Sequence, residues 1–517
     1  MAELILAAVA LGAAGPGIAL KFAQCGRYLK SKVDHYQQAP DIVVKFGTFG
    51  HNLHSGQLNE SLVLANWAYS QDDVEVGIKD ALEDQIDHLK AGVVAVDQHL
   101  DKCFDERGVL KRSKFLWSGE RKLKASMNEL DQWQRSFWHT ISLVEMRKRV
   151  LPDPSLLTSD KFQTSAQANG QLSQSTEPFS HARIAKGQIS DMGLREIDVL
   201  IEPKRTVTSG VNEIKEIASY LSRLPARSTG ILRCLGYRSE PQLELIFELP
   251  QGFTQLRTLD RLILDHMNSG DSRQESLDYR FSLACDIAEA VLSVHTSGRV
   301  HKNIRPDTIL IIETQIEGSN FRKPYLTDWT MLRKTESPST MVGEDDWLKD
   351  LYRHPRRHGL QPEQRYNMGH DIYSLGVNLL TVGLWEPLVN SLEGVRFPCE
   401  KYANTAVRLG LIQPEDLLPL KRPQGEDRES DIKRLVWTLT RPLTIQRTLQ
   451  GLAEHELPSR MGLQFTRIVT SCLSCPEGGF GDVKIFEENN KQAIGVNFTE
   501  KVLQPLSAWV NLMEALS

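Results

Sequence analysis

Apolar residues recur every three or four positions from Phe22 to about Arg149. In "VEVGIKDALEDQIDHLKAGVVAVDQHL", Leu82, Ile86 and Leu89 form one stripe. In "KASMNELDQWQRSFWHTISLVEMRKR", Leu130, Trp133, Phe137 and Ile141 form another. That period lets an α-helix bury one face while its charges stay in water. Pro16 and Pro40 are the only prolines before Pro152, so little interrupts the helices. The pattern predicts an all-α bundle over residues 1–150.

The periodicity stops at Pro152. "PDPSLLTSDKFQTSAQANGQLSQSTEPFS" is rich in Ser, Thr, Gln and Pro, and residues 151–180 read as a flexible linker. Short β-like runs follow: "EIDVLIEPK", "ILRCLGYR" and "QLELIFELP", with the helical "GVNEIKEIASYLSRL" after the first. From about Leu256 the chain turns helical, interrupted by "TILII" and "PYLTDW". Strands, one helix, more strands and then mostly helices is an α+β order. The expected body spans residues 181–485, and residues 486–517 read as a C-terminal helical extension.

Length and composition agree with a multi-domain globular chain. A length of 517 residues exceeds one ordinary core, and 25% charged residues leave ample polar surface. A net charge of -5 argues against wholesale nucleic-acid binding. Seven cysteines at irregular spacing indicate a reducing, cytoplasmic setting. Cys472-Leu-Ser-Cys475 is a lone CxxC, better read as two buried thiols than as a zinc site.

Two features of the first 150 residues change the picture. Leu4–Leu20 is 17 residues of almost unbroken small and apolar character, at the lower edge of a membrane span. Pro16 and the glycines argue for a packed helix as its resting state, and the two readings are compatible. Gly12, Gly15 and Gly17 leave a smooth strip on which copies could approach closely in lipid. Between Arg107 and Lys124, the residues Arg107, Lys111, Arg112, Lys114, Arg121, Lys122 and Lys124 face the single acid Glu120, with Phe115 and Trp117 among them. Such a patch suits an anionic lipid surface, although a solvated charged face reads the same way. The acidic stretch Asp72–Asp87 could neutralise it in a closed bundle.

The β-containing half carries motifs in a fixed order. "VLIEPK" ends in Lys204; "FELP" contains Glu248; "VHKNIRPDTILI" contains His301, Asn303 and Thr308; "YLTDWT" contains Asp328; "YRHPRR" contains Pro355; "HDIYSLGVNLLTVGLW" contains Asp371. In this order and spacing, residues 181–485 resemble the two-lobed protein-kinase fold. The resemblance implies that Lys204 grips nucleotide phosphates, paired with Glu213 or Glu216, of which Glu216 is preferred. It implies that Glu248 lies in the hinge beside an adenine ring and that Asp328 holds magnesium. Asp371 would brace the catalytic loop, with His301 as its structural neighbour.

Four departures fall on functional positions. Asn303 stands where the catalytic Asp belongs, and a neutral amide cannot take a proton as a base. Thr308 stands where an amide oxygen would hold the second metal. Gly187 and Gly193 do not make the G-x-G-x-x-G cradle, and Arg356 reverses the charge that follows Pro355. Together these imply a pseudokinase, with ATP and magnesium bound weakly or not at all. A divergent, active protein kinase and a soluble signalling scaffold are the alternatives.

"ILAAVALGAAGPGIAL", Trp67 in "LVLANWAYS" and "KRSKFLWSGERKLKASMNELDQWQRSFW" resemble the fungal HeLo and HeLo-like cell-death domains. In layout the whole chain is similar to the mixed-lineage kinase domain-like protein. The resemblance implies a cell-death effector of the heterokaryon-incompatibility type, regulated by its pseudokinase. Its partners would be membrane phospholipids, further copies of itself and an upstream activating protein, with no nucleic acid. It would move from the cytoplasm to the plasma membrane on activation.

Overall fold

The computed structural model describes residues 18–36, 42–46, 49, 76–105, 107–111, 115, 119–145, 162–164, 182–189, 195–204, 211–222, 230–239, 242–269, 275–296, 298–316, 319–334, 343–392, 394–418, 428–475 and 498–516. The chain divides into two compact units. Residues 1–149 and 507–517 form the first, and residues 150–506 form the second.

In the first unit three long helices are described: α1 (Ile18–Asp34), α2 (Val76–Cys103) and α3 (Glu120–Glu145). Helix α2 packs against both α1 and α3. Leu82, Ile86 and Leu89 on α2 are buried, as are Leu130, Trp133 and Phe137 on α3. Each such side chain contributes about 1.5–3 kcal/mol of apolar burial. The Trp133 indole N–H donates to the Gln85 carbonyl across 2.6 Å, satisfying the ring's polar atom where it is buried. At the far end of α2, Lys32 lies 2.7 Å from both Asp97 and Asp101, and Tyr36 stacks on Phe104.

The second unit is mixed α and β. A five-stranded antiparallel sheet has the order β1-β2-β3-β5-β4, from β1 (Phe162–Thr164), β2 (Arg183–Ile189), β3 (Arg195–Pro203), β4 (Cys234–Arg238) and β5 (Glu244–Glu248). Val199 and Ile201 of β3 join Ala185, Leu235 and Ile246 in one apolar cluster. Strand alternation places Leu200, Glu202 and Lys204 on the opposite face. Helix α4 (Val211–Leu221) buries Ile214, Ile217 and Leu221 and packs against β4 and β5.

After β6 (Phe253–Thr258) come α5 (Leu259–Asn268), α6 (Leu277–Thr296) and the short strand β7 (Arg299–Val300). Strands β8 (Ile309–Ile316) and β9 (Ser319–Leu326) complete a three-stranded sheet ordered β6-β8-β9, and β10 (Arg333–Lys334) pairs with β7. Helix α7 (Met368–Leu384) is buried along its whole length. It has no solvent-facing charged stripe, which is how a central helix reads, and its polar residues, Asp371 among them, are buried with the rest. Asn367 caps it, accepting from the His370 N–H while His370 Nδ1 accepts from the Asn367 N–H.

After α7 a hairpin of β11 (Val389–Leu392) and β12 (Val395–Pro398) precedes the helices α8 (Glu400–Arg408), α9 (Arg428–Leu439) and α10 (Pro442–Leu473); α11 (Gln504–Leu516) follows, most of it in the first unit. Helix α10 kinks at Gly462, whose φ of 82° and ψ of 165° are not helical. Its second half packs on α7 where Gly376 has no side chain. A Cβ there would meet the Cys472 Cβ at 2.7 Å and the Leu473 nitrogen at 3.1 Å. Cys472 and Cys475 are both buried free thiols.

One sequence expectation changes, and two features go beyond what the pattern predicts. The linker 151–180 contains a strand, because β1 pairs with the edge of β2, Phe162 opposite Ile189; an open edge offers unpaired backbone groups to any extended neighbour. Strand β2 itself lies in "ARIAKGQIS", where Gly187 sits within the ladder opposite Ile197 and Thr164. Residues 507–517, within the expected C-terminal helical extension, group with the first unit.

Candidate functional site

Asp371, fully buried near the start of α7, is the hub of the second unit's polar core. Its Oδ2 accepts from the His301 backbone N–H at 2.7 Å and from His295 Nε2 at 3.1 Å. Its Oδ1 accepts from the Lys302 N–H at 2.9 Å and the Tyr366 hydroxyl at 2.8 Å. Burial alone would raise the carboxyl's pKa; the His295 hydrogen bond and the positive field of His295 and His301 outweigh it and hold it low. These bonds fix the loop from His301 to Thr308. Lys302 takes a left-handed φ of 69° there, a conformation that persists only where neighbours enforce it. The buried His301 ring lies 4.7 Å from Trp329.

Asn303 leaves this loop towards Asp328, and its Nδ2 donates to Asp328 Oδ2 across 2.7 Å. Asp328 follows β9 in a left-handed conformation, φ 62° and ψ 63°. Thr308 turns inward. Its buried hydroxyl donates to the Asn303 carbonyl at 2.6 Å and accepts from the Arg305 N–H at 3.0 Å, closing the loop on itself. Thr308 is therefore committed to the loop's own backbone, a correction to its expected ligand role.

Lys204, with a side chain only 1% exposed, places its ammonium 3.0 Å from Glu213 Oε1. This corrects the preferred partner. Glu216 lies one turn further along α4 and pairs instead with Arg299 at 3.1 Å and with Lys334. The Lys334 hydrogen bond holds the Glu216 carboxyl below its ordinary range despite partial burial. Position along the helix decides between the two acids: three residues apart they share a face but sit nearly a turn apart along the axis, so each meets a different cation.

One functional neighbour escaped the sequence reading. Glu202, two residues before Lys204 and on the same face of β3, is buried and reaches the Asp328 segment. Its Oε2 accepts from the Asp328 N–H at 3.2 Å and the Trp329 N–H at 3.4 Å. Burial, then the Asp328 charge, push its carboxyl up to about 8. The available signal was an acid inside the otherwise apolar run "VLIEP".

Glu248 is also corrected. Its carboxylate pairs with Arg233 at 3.3 Å. The Glu248 N–H donates to the Arg233 carbonyl at 2.9 Å and the Leu249 N–H to the Asp198 carbonyl at 3.0 Å. Pro250 has no N–H. Across residues 248–250 no main-chain donor is left for the edge of a base.

The group as arranged does not fit a magnesium–nucleotide. Asp328 carries the Asn303 amide, Thr308 faces its own loop, Glu202 is bonded to the Asp328 and Trp329 amides, and the 248–250 amides are engaged.

In the first unit, Arg121, Lys122 and Lys124 are exposed at the start of α3. Lys124 pairs with Glu120 at 3.4 Å and Lys90 with Asp87 at 3.1 Å, each within its own helix. These pairs do not join the basic and acidic stretches. The Lys111 N–H donates to the Cys103 carbonyl, and Phe115 is buried rather than presented to a surface. Leu4, Gly12, Gly15, Gly17, Trp67, Arg112, Lys114 and Trp117 lie outside the described residues. Among the described residues no helix is long and apolar enough to cross a membrane. No family model matches the chain, and no curated protein matches it.

Proposed function

We propose that this chain is a membrane-directed effector of programmed cell death, in which a two-lobed, protein-kinase-like body without phosphoryl transfer regulates a HeLo-like helical domain. The observation that carries the loss of catalysis is the 2.7 Å contact from Asn303 to Asp328. A catalytic loop needs a carboxylate that accepts the substrate proton. Here the residue in that place is an amide that donates, and it donates to the acid a metal would require.

Several features support a kinase-like descent for the second unit. A five-stranded antiparallel sheet with one helix precedes a mostly helical remainder. That helix brings an acid to Lys204, and a buried helix presents Asp371 to the loop backbone. The membrane reading rests on the apolar Leu4–Leu20 run and on the exposed Arg121, Lys122 and Lys124. Polybasic segments near an anionic leaflet contribute about 1 kcal/mol per residue. On this reading an upstream protein activates the chain, copies associate at the plasma membrane, and the first segment inserts. ATP and magnesium play no chemical part.

Dye release from anionic liposomes tests the proposal, comparing residues 1–150, the full chain and a chain lacking residues 2–23. Leakage from the fragment, weak with the full chain and absent without the first segment, is the expected outcome. A folded fragment that neither binds lipid nor causes leakage would remove the membrane role. Phosphate transfer from ATP by the full chain would remove the pseudokinase half.

A further inference from the structure

Lys204 and Asp328 are the two groups that most favour an anionic, metal-bound ligand, yet a third side chain links the strand of the first to the backbone of the second. Glu202 rises from the same face of β3 as Lys204 and ends on the backbone of Asp328 and Trp329. Its Oε1 is sealed from water with no hydrogen-bond partner in the protein. The carboxyl is thus an internal plug, not a surface acid that happens to lie nearby.

We infer that Glu202 is a strap that ties β3 to the Asp328 segment and closes the Lys204–Asp328 site against polyphosphate ligands. Two bonds to consecutive amides hold Asp328 in its left-handed conformation. A non-glycine residue keeps such a conformation only when its surroundings over-determine it. A phosphate approaching Lys204 would meet a buried side chain already bonded to the Asp328 and Trp329 backbone, away from the water that would solvate its charge. Asn303 closes the same acid from the loop side. The strap therefore accounts for a chain that keeps its lysine and its aspartate without presenting them. This inference is independent of any membrane role.

The test uses the full-length chain and a fluorescent ATP analogue with magnesium, titrated against wild type and Glu202→Ala, Glu202→Asp and Glu202→Gln. Alanine removes the strap; aspartate keeps the carboxyl but falls short by one methylene; glutamine keeps an acceptor at the same reach. Glu202→Ala and Glu202→Asp are expected to bind at least about tenfold tighter than wild type, a difference of about 1.4 kcal/mol. Glu202→Gln is expected to match wild type, and adding Lys204→Met to either opened variant to abolish the gain. Should the alanine variant fail to fold, the aspartate variant decides alone. The inference is overturned by folded variants that bind no tighter than wild type, by a gain that survives Lys204→Met, or by glutamine gaining as much as alanine. Amide exchange at Asp328 and Trp329 gives a reading without nucleotide: it quickens in the opened variants, and unchanged exchange overturns the strap.

Discussion

Asn303 donates its side-chain amide to the Asp328 carboxylate across 2.7 Å, so the loop and the acid satisfy each other. Asn303→Asp puts two carboxylates in that contact. Like charges at this separation force one acid to take a proton or the backbone to move. The variant is expected to lose about 1–3 kcal/mol in urea unfolding and to gain no phosphoryl transfer, because Thr308 and the 248–250 amides remain engaged. Measurable transfer from ATP would show that the single substitution is all that separates this site from catalysis.

Glu213 and Glu216 sit on one helix with unequal duties. Glu213→Gln leaves the buried Lys204 ammonium without its ion partner. Glu213 is itself about half exposed (49%), which moderates the loss to roughly 1–3 kcal/mol against the larger figure for fully buried pairs. Glu216→Gln removes contacts to Arg299 and to a half-exposed Lys334, and costs about 1 kcal/mol or less. A double-mutant cycle with Lys204→Met is expected to couple to Glu213 and not to Glu216.

Gly376 allows α7 and α10 to meet closely. In Gly376→Ala the new methyl lies 2.7 Å from the Cys472 Cβ and 3.1 Å from a backbone nitrogen. Neither is the flexible end of a side chain, so overpacking of about 1–3 kcal/mol is expected. Melting curves measure it, and Cys472→Gly in the same chain should recover part of the loss.

Acid should loosen the segment around His354. Burial pushes His354 from an ordinary 6.5 down to about 3 and His358 down to about 4. Below pH 6.5 the unfolded chain takes up protons that the folded chain refuses. Stability therefore rises with pH in this window and is lost as pH falls from 6.5 towards 4 and 3. Thermal melts between pH 7 and pH 4 should show that slope, and His354→Gln should flatten it.

On the proposed membrane reading, Arg121, Lys122 and Lys124 act through charge. Replacing all three by Glu should weaken binding to anionic vesicles by about 100-fold or more, at about 1 kcal/mol per lost basic residue. Cosedimentation at low and high salt measures this, and neutral vesicles serve as the comparison. Equal binding by the triple variant would leave those residues as a solvated face.

The two units and their mixed character were legible in the chain because burial follows period. The stripes Leu82–Leu89 and Leu130–Phe137 needed only helical spacing to predict a buried face, and both are buried. "HDIYSLGVNLLTVGLW" is mostly apolar with no charged stripe, and its helix is buried on every side. Asp371 could be placed at the head of that helix by its position alone.

Tertiary structure decided which polar groups meet. Glu213 and Glu216 are equal candidates along the chain, and only the orientation of α4 gives Lys204 to the first. Thr308 offers a hydroxyl in sequence, but the turn spends it on its own backbone. Glu202 drew no notice as one acid in an apolar strand, because its role depends on a segment more than a hundred positions away. Hydrophobic pattern is a local property, carried by spacing within one element. A buried carboxyl's partner is a property of three-dimensional packing, and the sequence alone does not hold that distance.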